Sequence, residues 1–201
     1  MISNKNSKNL KGRDLISIGI YSAIYFVINF AFMLVSGLHP LIWIFMPALI
    51  GLFAATPYMM MCSQVKKPGA VLIMGIIVGL IYFVTGMFTI YILITFVISC
   101  AIAELIRYVT KYELFTGNAF AYIVFSIGMI GSPLPIWVMK EEFLTQILSQ
   151  GMAQEYVDTL ADVSSNGMLV LMVFVTIVTS VIGAYISKGL FKKHFKKAGA
   201  I

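Results

Sequence analysis

Residues 15–35 form a run of 21 residues without a charge, and Lys5, Lys8, Lys11 and Arg13 stand just before it. At about 1.5 Å per residue the run is long enough to cross a hydrocarbon core of about 30 Å. It must do so as a helix, because a single segment in lipid has to satisfy its backbone N–H and C=O groups internally. Asp14, at its start, is the expected N-cap. The basic leader is expected to stay in the cytoplasm and so to orient everything that follows. The run is too long for a signal peptide and no A-x-A-like site follows it, so it is expected to remain as a first span.

Five more apolar runs follow, over residues 40–63, 69–85, 88–109, 117–139 and 167–191. With 60% hydrophobic and 11% charged residues and a mean hydropathy of +0.97, the composition excludes a soluble globular domain. The expected fold class is all-α: one integral membrane domain over residues 1–201, a six-helix bundle in the cell membrane with both termini cytoplasmic. That topology puts thirteen of the fourteen Lys and Arg residues on the inner side and leaves Lys140 alone outside. The net charge of +6 is therefore a set of short topological clusters, not a nucleic-acid-binding surface.

Irregular stretches interrupt the runs. Pro47 and Pro57 are expected to kink the second span, and Gly131-Ser132-Pro133-Leu134-Pro135 cannot continue the fifth as a regular helix. Gly86-Met87 leaves room only for a tight hairpin. Gly19-x-x-x-Ala23, with Ser22 adjacent, and Gly75-x-x-x-Gly79 have the spacing that lets helices approach closely in lipid. Residues 140–165, the one long polar connection, carry Phe143, Leu144, Ile147, Tyr156, Leu160 and Val163 at helical spacing. They read as one or two short amphipathic helices on the outer face, either a lid or an interfacial anchor.

Several chemistries are missing. No G-x-x-x-x-G-K-[ST] is present to cradle ATP phosphates, and no H-E-x-x-H; His39 and His194 are expected on opposite sides of the membrane. Glu141-Glu142 begins like the motif of membrane-embedded proteases, but Gln146 stands where an Arg is needed, and the pair is expected in a loop. Cys62 and Cys100 lack metal or redox spacing and read as buried thiols. Glu104, three residues before Arg107 at the inner end of the fourth span, reads as a local charge pair or a contact with a cytoplasmic partner, with a proton site as the alternative. The middle of every span lacks Asp, Glu, Lys, Arg and His, which argues against a stand-alone ion-coupled carrier. No cofactor bound by this chain and no enzymatic activity are expected.

What remains is a polar and aromatic decoration of the outer half. Asn29, His39, Trp43, Tyr82, Tyr91, Ser132, Trp137, Lys140 and Asn166 form a candidate small-molecule pocket, with Tyr25 also in the first span. The alternative is an interfacial aromatic belt with hydrogen-bonded structural groups.

Gly12-Arg13-Asp14-Leu15, the stretch GIYSAIYFVINF from Gly19, the proline-rich second span and SPLPIW before an acidic loop resemble the S components of energy-coupling factor (ECF) transporters. The resemblance is nearest to their Trep_Strep branch. It implies a six-helix protein that binds a vitamin-like micronutrient outside and docks on a transmembrane coupling subunit (T component) with two cytoplasmic ATPases that use the ATP. By the same resemblance Gly19 and Ala23, with Ser22 beside them, contact the coupling subunit; the family often has alanine where this chain has Gly19. A stand-alone carrier or channel is the alternative, and an accessory subunit that binds no solute a third reading.

Overall fold

The computed structural model describes residues 9–84 and 89–197, with side chains to residue 191. The first run is one helix, α1 (Gly12–Ser36). Its N-cap is Lys11 rather than Asp14: the helix starts early enough to place Asp14 at the third helical position, where its carboxylate accepts the Lys11 backbone N–H at 2.7 Å. The same oxygen meets Lys67 Nζ at 2.6 Å, which ties the start of α1 to the loop before the third run. Lys5 and Lys8 lie outside the described residues.

The second run is not one kinked helix but three: α2 (Pro40–Ile44), α3 (Met46–Phe53) and α4 (Ala55–Gln64). Each contains a proline in its first turn, where the missing N–H has no intrahelical acceptor in any case. The axes of α3 and α4 differ by 44°. This most broken part of the chain is also among its most buried, with Met46, Ile50, Ala54, Ala55, Tyr58, Met61 and Cys62 at most 1% exposed. Burial in protein is what makes interrupted backbone tolerable at membrane depth, because neighbouring side chains can reach the freed carbonyls. Tyr122 does so, its hydroxyl lying 2.9 Å from the Gly51 carbonyl and 3.2 Å from that of Ile50.

The third and fourth runs become α5 (Ala70–Val84) and α6 (Ile90–Val109); Thr85 and the expected Gly86-Met87 hairpin lie outside the described residues. Thr89 caps α6 by accepting the Ile92 N–H at 3.2 Å. The fifth run is α7 (Phe115–Ile127), a 3-10 turn over Gly128–Gly131 and the short α8 (Pro135–Val138). The glycine at 131 is needed because a Cβ there would run into Thr95 and into the α6 backbone at Tyr91 and Ile92. The acidic connection forms two amphipathic helices, α9 (Lys140–Ser149) and α10 (Gln154–Val163), joined through Gly151 at φ +92°. Glu141 and Glu142 therefore occupy the first turn of a helix, not a loop; carboxylates are favourable there. Last comes α11 (Asn166–Lys197).

α1 packs on α5 and on the α3–α4 pair, α6 lies between α5 and α7, and α11 closes the bundle against α3, α4 and α7. α3 and α11 cross closely: a Cβ on Gly183 would lie 2.5 Å from the Leu52 carbonyl and 2.8 Å from that of Gly51. Outward faces are apolar: Ile16, Val27, Ile76, Phe83 and Phe174 are each more than half exposed. Among the described residues three helices are long and apolar enough to span a membrane, or four if the bent α3–α4 pair is counted as one span, and α5 and α7 with its 3-10 turn are shorter apolar helices.

Candidate functional site

Five of the nine candidate pocket residues fall into two separate groups. Asn29 and Tyr82 belong to the main core: both are buried, the Tyr82 hydroxyl donates to Asn29 Oδ1 at 3.2 Å, and Asn29 Nδ2 donates to the Tyr25 carbonyl at 2.7 Å. Tyr25, Tyr58, Tyr122, Phe96 and Phe125 form a contiguous ring cluster beside them, with centroids 4.9–5.4 Å apart. Among the described residues the buried Tyr25 and Tyr58 hydroxyls have no hydrogen-bond partner. Tyr58 and Tyr122 were not among the sequence candidates; as tyrosines inside long apolar runs they differ from core aromatics only by a hydroxyl.

The second group lies at the end of the bundle covered by α9 and α10. Ile44, Ile130, Ile136, Leu160 and Met172 form a separate apolar cluster there, and Trp43, Trp137, Phe143 and Tyr156 pack around it. Trp43 stacks on Phe143 at 5.4 Å and 18°. Trp137 Nε1 donates to the Ser165 carbonyl at 2.9 Å, Lys140 Nζ to the Ala161 carbonyl at 2.6 Å, and the Tyr156 hydroxyl to the Ser36 carbonyl at 3.1 Å. The Lys140 bond joins α9 to α10, the Tyr156 bond ties α10 to the end of α1, and the Trp137 bond ties α8 to the residue just before α11. His39 is exposed and caps α2, its Nδ1 accepting the Leu41 N–H at 3.2 Å; Asn166 is exposed at the start of α11. Tyr91 and Ser132 are half-buried, and the Tyr91 carbonyl accepts the Thr95 hydroxyl at 2.8 Å.

On α1, Ala23 is exposed and Gly19 half-buried, with nothing within 4 Å of where a Gly19 Cβ would stand. Ser22 faces the other way: it is fully buried and its hydroxyl returns to the Ile18 carbonyl at 2.7 Å. The open small-residue face is thus Gly19 and Ala23 without Ser22.

At the opposite end, the pairing expected of Glu104 and Arg107 is replaced by something more specific. Both are buried, and each serves a different helix end. Glu104 accepts the Gly69 and Val71 N–H groups at 2.7 and 3.1 Å, capping the start of α5. Arg107 Nη2 donates to the Val65 carbonyl at 2.9 Å at the end of α4, and Nε to Asn118 Oδ1 at 3.0 Å. A carboxylate at a helix start and a guanidinium at a helix end each complement the macrodipole and satisfy otherwise orphaned backbone groups. The turn after α6 completes the arrangement: Tyr112 N–H returns to the Arg107 carbonyl at 2.9 Å, and the guanidinium carbon sits 5.1 Å over the Tyr112 ring. Lys111 and Tyr112 take positive φ of 56° and 60° to make that closure. Cys62 and Cys100 are both buried and free.

A family model described as a hypothetical bacterial integral membrane protein (Trep_Strep) matches residues 12–197. The chain belongs to this family. Neither a curated protein nor a solved structure matches it. Trep_Strep membership agrees with the apolar exterior: this is an integral membrane protein with transmembrane helices.

In this Trep_Strep chain the Tyr156 hydroxyl links α10 to the end of α1, and burial pushes its pKa up to about 12. A raised folded-state pKa means that the contribution is complete below the ordinary tyrosine value near 10 and is lost as pH rises through about 12. The bond is accordingly intact throughout the neutral range. Tyr156→Phe is expected to loosen the cap by about 1 kcal/mol, read as about fivefold faster amide exchange over residues 140–163 at pH 7. Unchanged exchange would show that this contact does not hold the cap.

Proposed function

We propose that this chain is the substrate-binding subunit (S component) of an ECF-type ABC importer, capturing a small vitamin-like micronutrient from outside and delivering it inward. The observation that carries the reading is the capped end, where two amphipathic helices, joined to each other through Lys140 and to α1 through Tyr156, pack on the short helices α2 and α8. Interrupted backbone under a polar cover supplies directional polar groups at the edge of an apolar interior, the kind of surroundings small-molecule sites use.

In this reading the bundle has six spans, formed by α1, the α2–α4 series, α5, α6, α7 with α8, and α11. The cap faces outward and both termini lie in the cytoplasm, as the placement of thirteen of fourteen Lys and Arg residues favours. The chain is no enzyme and binds no cofactor. Its work depends on a coupling subunit and two ATPases that consume the ATP, reached through the Gly19 and Ala23 face. The open space at Gly19 and the exposure of Ala23 support that assignment.

Ala23→Trp tests it. The residue is exposed, so the bundle is expected to fold and to hold substrate co-purified from cells within twofold of the wild-type amount. ATP-driven uptake in vesicles containing the coupling subunit and ATPases is expected to fall at least tenfold. Unaltered uptake would remove the docking face, and gradient-driven flux through the purified chain alone would make it a stand-alone carrier instead.

A further inference from the structure

Between α5 and α6 the surface opens into a groove of about 440 Å³ whose lining is almost wholly apolar. Gly75 and Gly79 account for its shape. At Gly75 the helices touch so closely that a Cβ would stand 2.5 Å from Cys100 Sγ, whereas around Gly79 nothing lies within 4 Å of a Cβ. The rim, which includes Leu72, Ile76, Leu80 and Val97, is exposed on the apolar exterior. Water gains nothing by filling such a groove, and hydrocarbon does.

Two further features select the occupant. From Leu72 to Phe83 the lining follows α5 for about 16 Å. That is close to the depth of one leaflet, about half of a hydrocarbon core about 30 Å thick. The Leu72 end also meets the clasp that joins the α4–α5 loop to the end of α6. Exposed Lys66 and Lys111 stand in the two connections there, with Glu113 the exposed acid beside them. Lys67 is engaged by Asp14, and Glu104 by the α5 backbone.

The geometry points to this groove as the seat of one acyl chain of an anionic phospholipid, with its headgroup at the Lys66 and Lys111 end. The site stands apart from the capped end and is independent of the transport role proposed above. Gly79 is the position that leaves room for the chain, and the two lysines supply the preference for a negative headgroup.

The test uses the full-length protein in nanodiscs containing phosphatidylglycerol or phosphatidylcholine with a photoreactive diazirine on the acyl chain. Crosslinks from phosphatidylglycerol are expected to concentrate on residues 72–83 and 92–100, at least tenfold above those on the equally exposed Val170 and Phe174 of α11. Gly79→Leu is expected to bring labelling down to the α11 level, and Gly79→Ala, whose small side chain meets no neighbour, to about half of wild type. Lys66→Ala combined with Lys111→Ala is expected to equalise the two lipids without abolishing labelling. Labelling spread evenly over all exposed helices, or undiminished in both Gly79 variants, would overturn the proposal. So would native mass spectrometry finding a second copy of the chain or a non-lipid molecule in the groove.

Discussion

Arg107→Ala is expected to lower the thermal unfolding midpoint in detergent by about 10 °C. The guanidinium is fully buried and donates to the Val65 carbonyl and to Asn118. Its removal leaves both acceptors unpaired and Glu104 without the neighbouring positive charge. Truncating one member of a buried charged network costs about 3–5 kcal/mol, and in a chain of this size each kcal/mol moves the midpoint by about 2–4 °C. Arg107→Lys is expected to fall between, since an ammonium keeps the charge but cannot reach both Val65 and Asn118 with a planar fork. Fluorescence-detected size exclusion after heating checks both variants. A midpoint for Arg107→Ala within 2 °C of wild type would mean that the loops are held together by other contacts.

Gly183→Leu is expected to abolish the monodisperse folded species altogether. A Cβ at this position would stand 2.5 Å from one α3 carbonyl and 2.8 Å from the next. Backbone atoms cannot rotate away as a side chain can, so α11 would have to lift off α3. Overpacking of a tight contact usually costs about 1–3 kcal/mol even when side chains can adjust; Gly183→Ala is expected in that range and Gly183→Leu well above it. Gly189 on the same helix, with nothing within 4 Å, is the control: Gly189→Leu is expected to stay within about 0.5 kcal/mol of wild type. Equal stability of Gly183→Leu and Gly189→Leu in a thermal shift assay would refute the close crossing of α3 and α11.

The helices themselves were legible in the sequence because apolar runs and their breakers act locally. Pro47, Pro57 and the Gly131–Pro135 stretch each stop a helix by removing a donor, whatever surrounds them, and the helices end near them. Even here the outcome was a severed second run where a kink was expected, because enough protein surrounds α3 and α4 to satisfy what the breaks release. The amphipathic spacing of residues 140–165 likewise resolved into α9 and α10.

The candidate site was less legible. Asn29, Tyr82, Trp43 and Trp137 are all engaged in the interior or under the cap, yet the division into two groups follows from which helices cross, and periodicity carries no information on that. Glu104 and Arg107 show the limit most clearly. Their spacing of three on one helix suggested a partnership, but the stronger claims on them come from residues 33 to 42 positions away: the bare N–H groups at Gly69 and Val71 and the bare carbonyl at Val65.

By itself the sequence determined that this chain lives in lipid and which stretches of it are apolar helix, since hydropathy and backbone chemistry are properties of neighbours along the chain. Only the tertiary structure decided which breaks are buried, which small residues lie open and where α5 and α6 part to leave a groove. Those depend on the distance between helices, which is set by contacts between residues far apart in the chain.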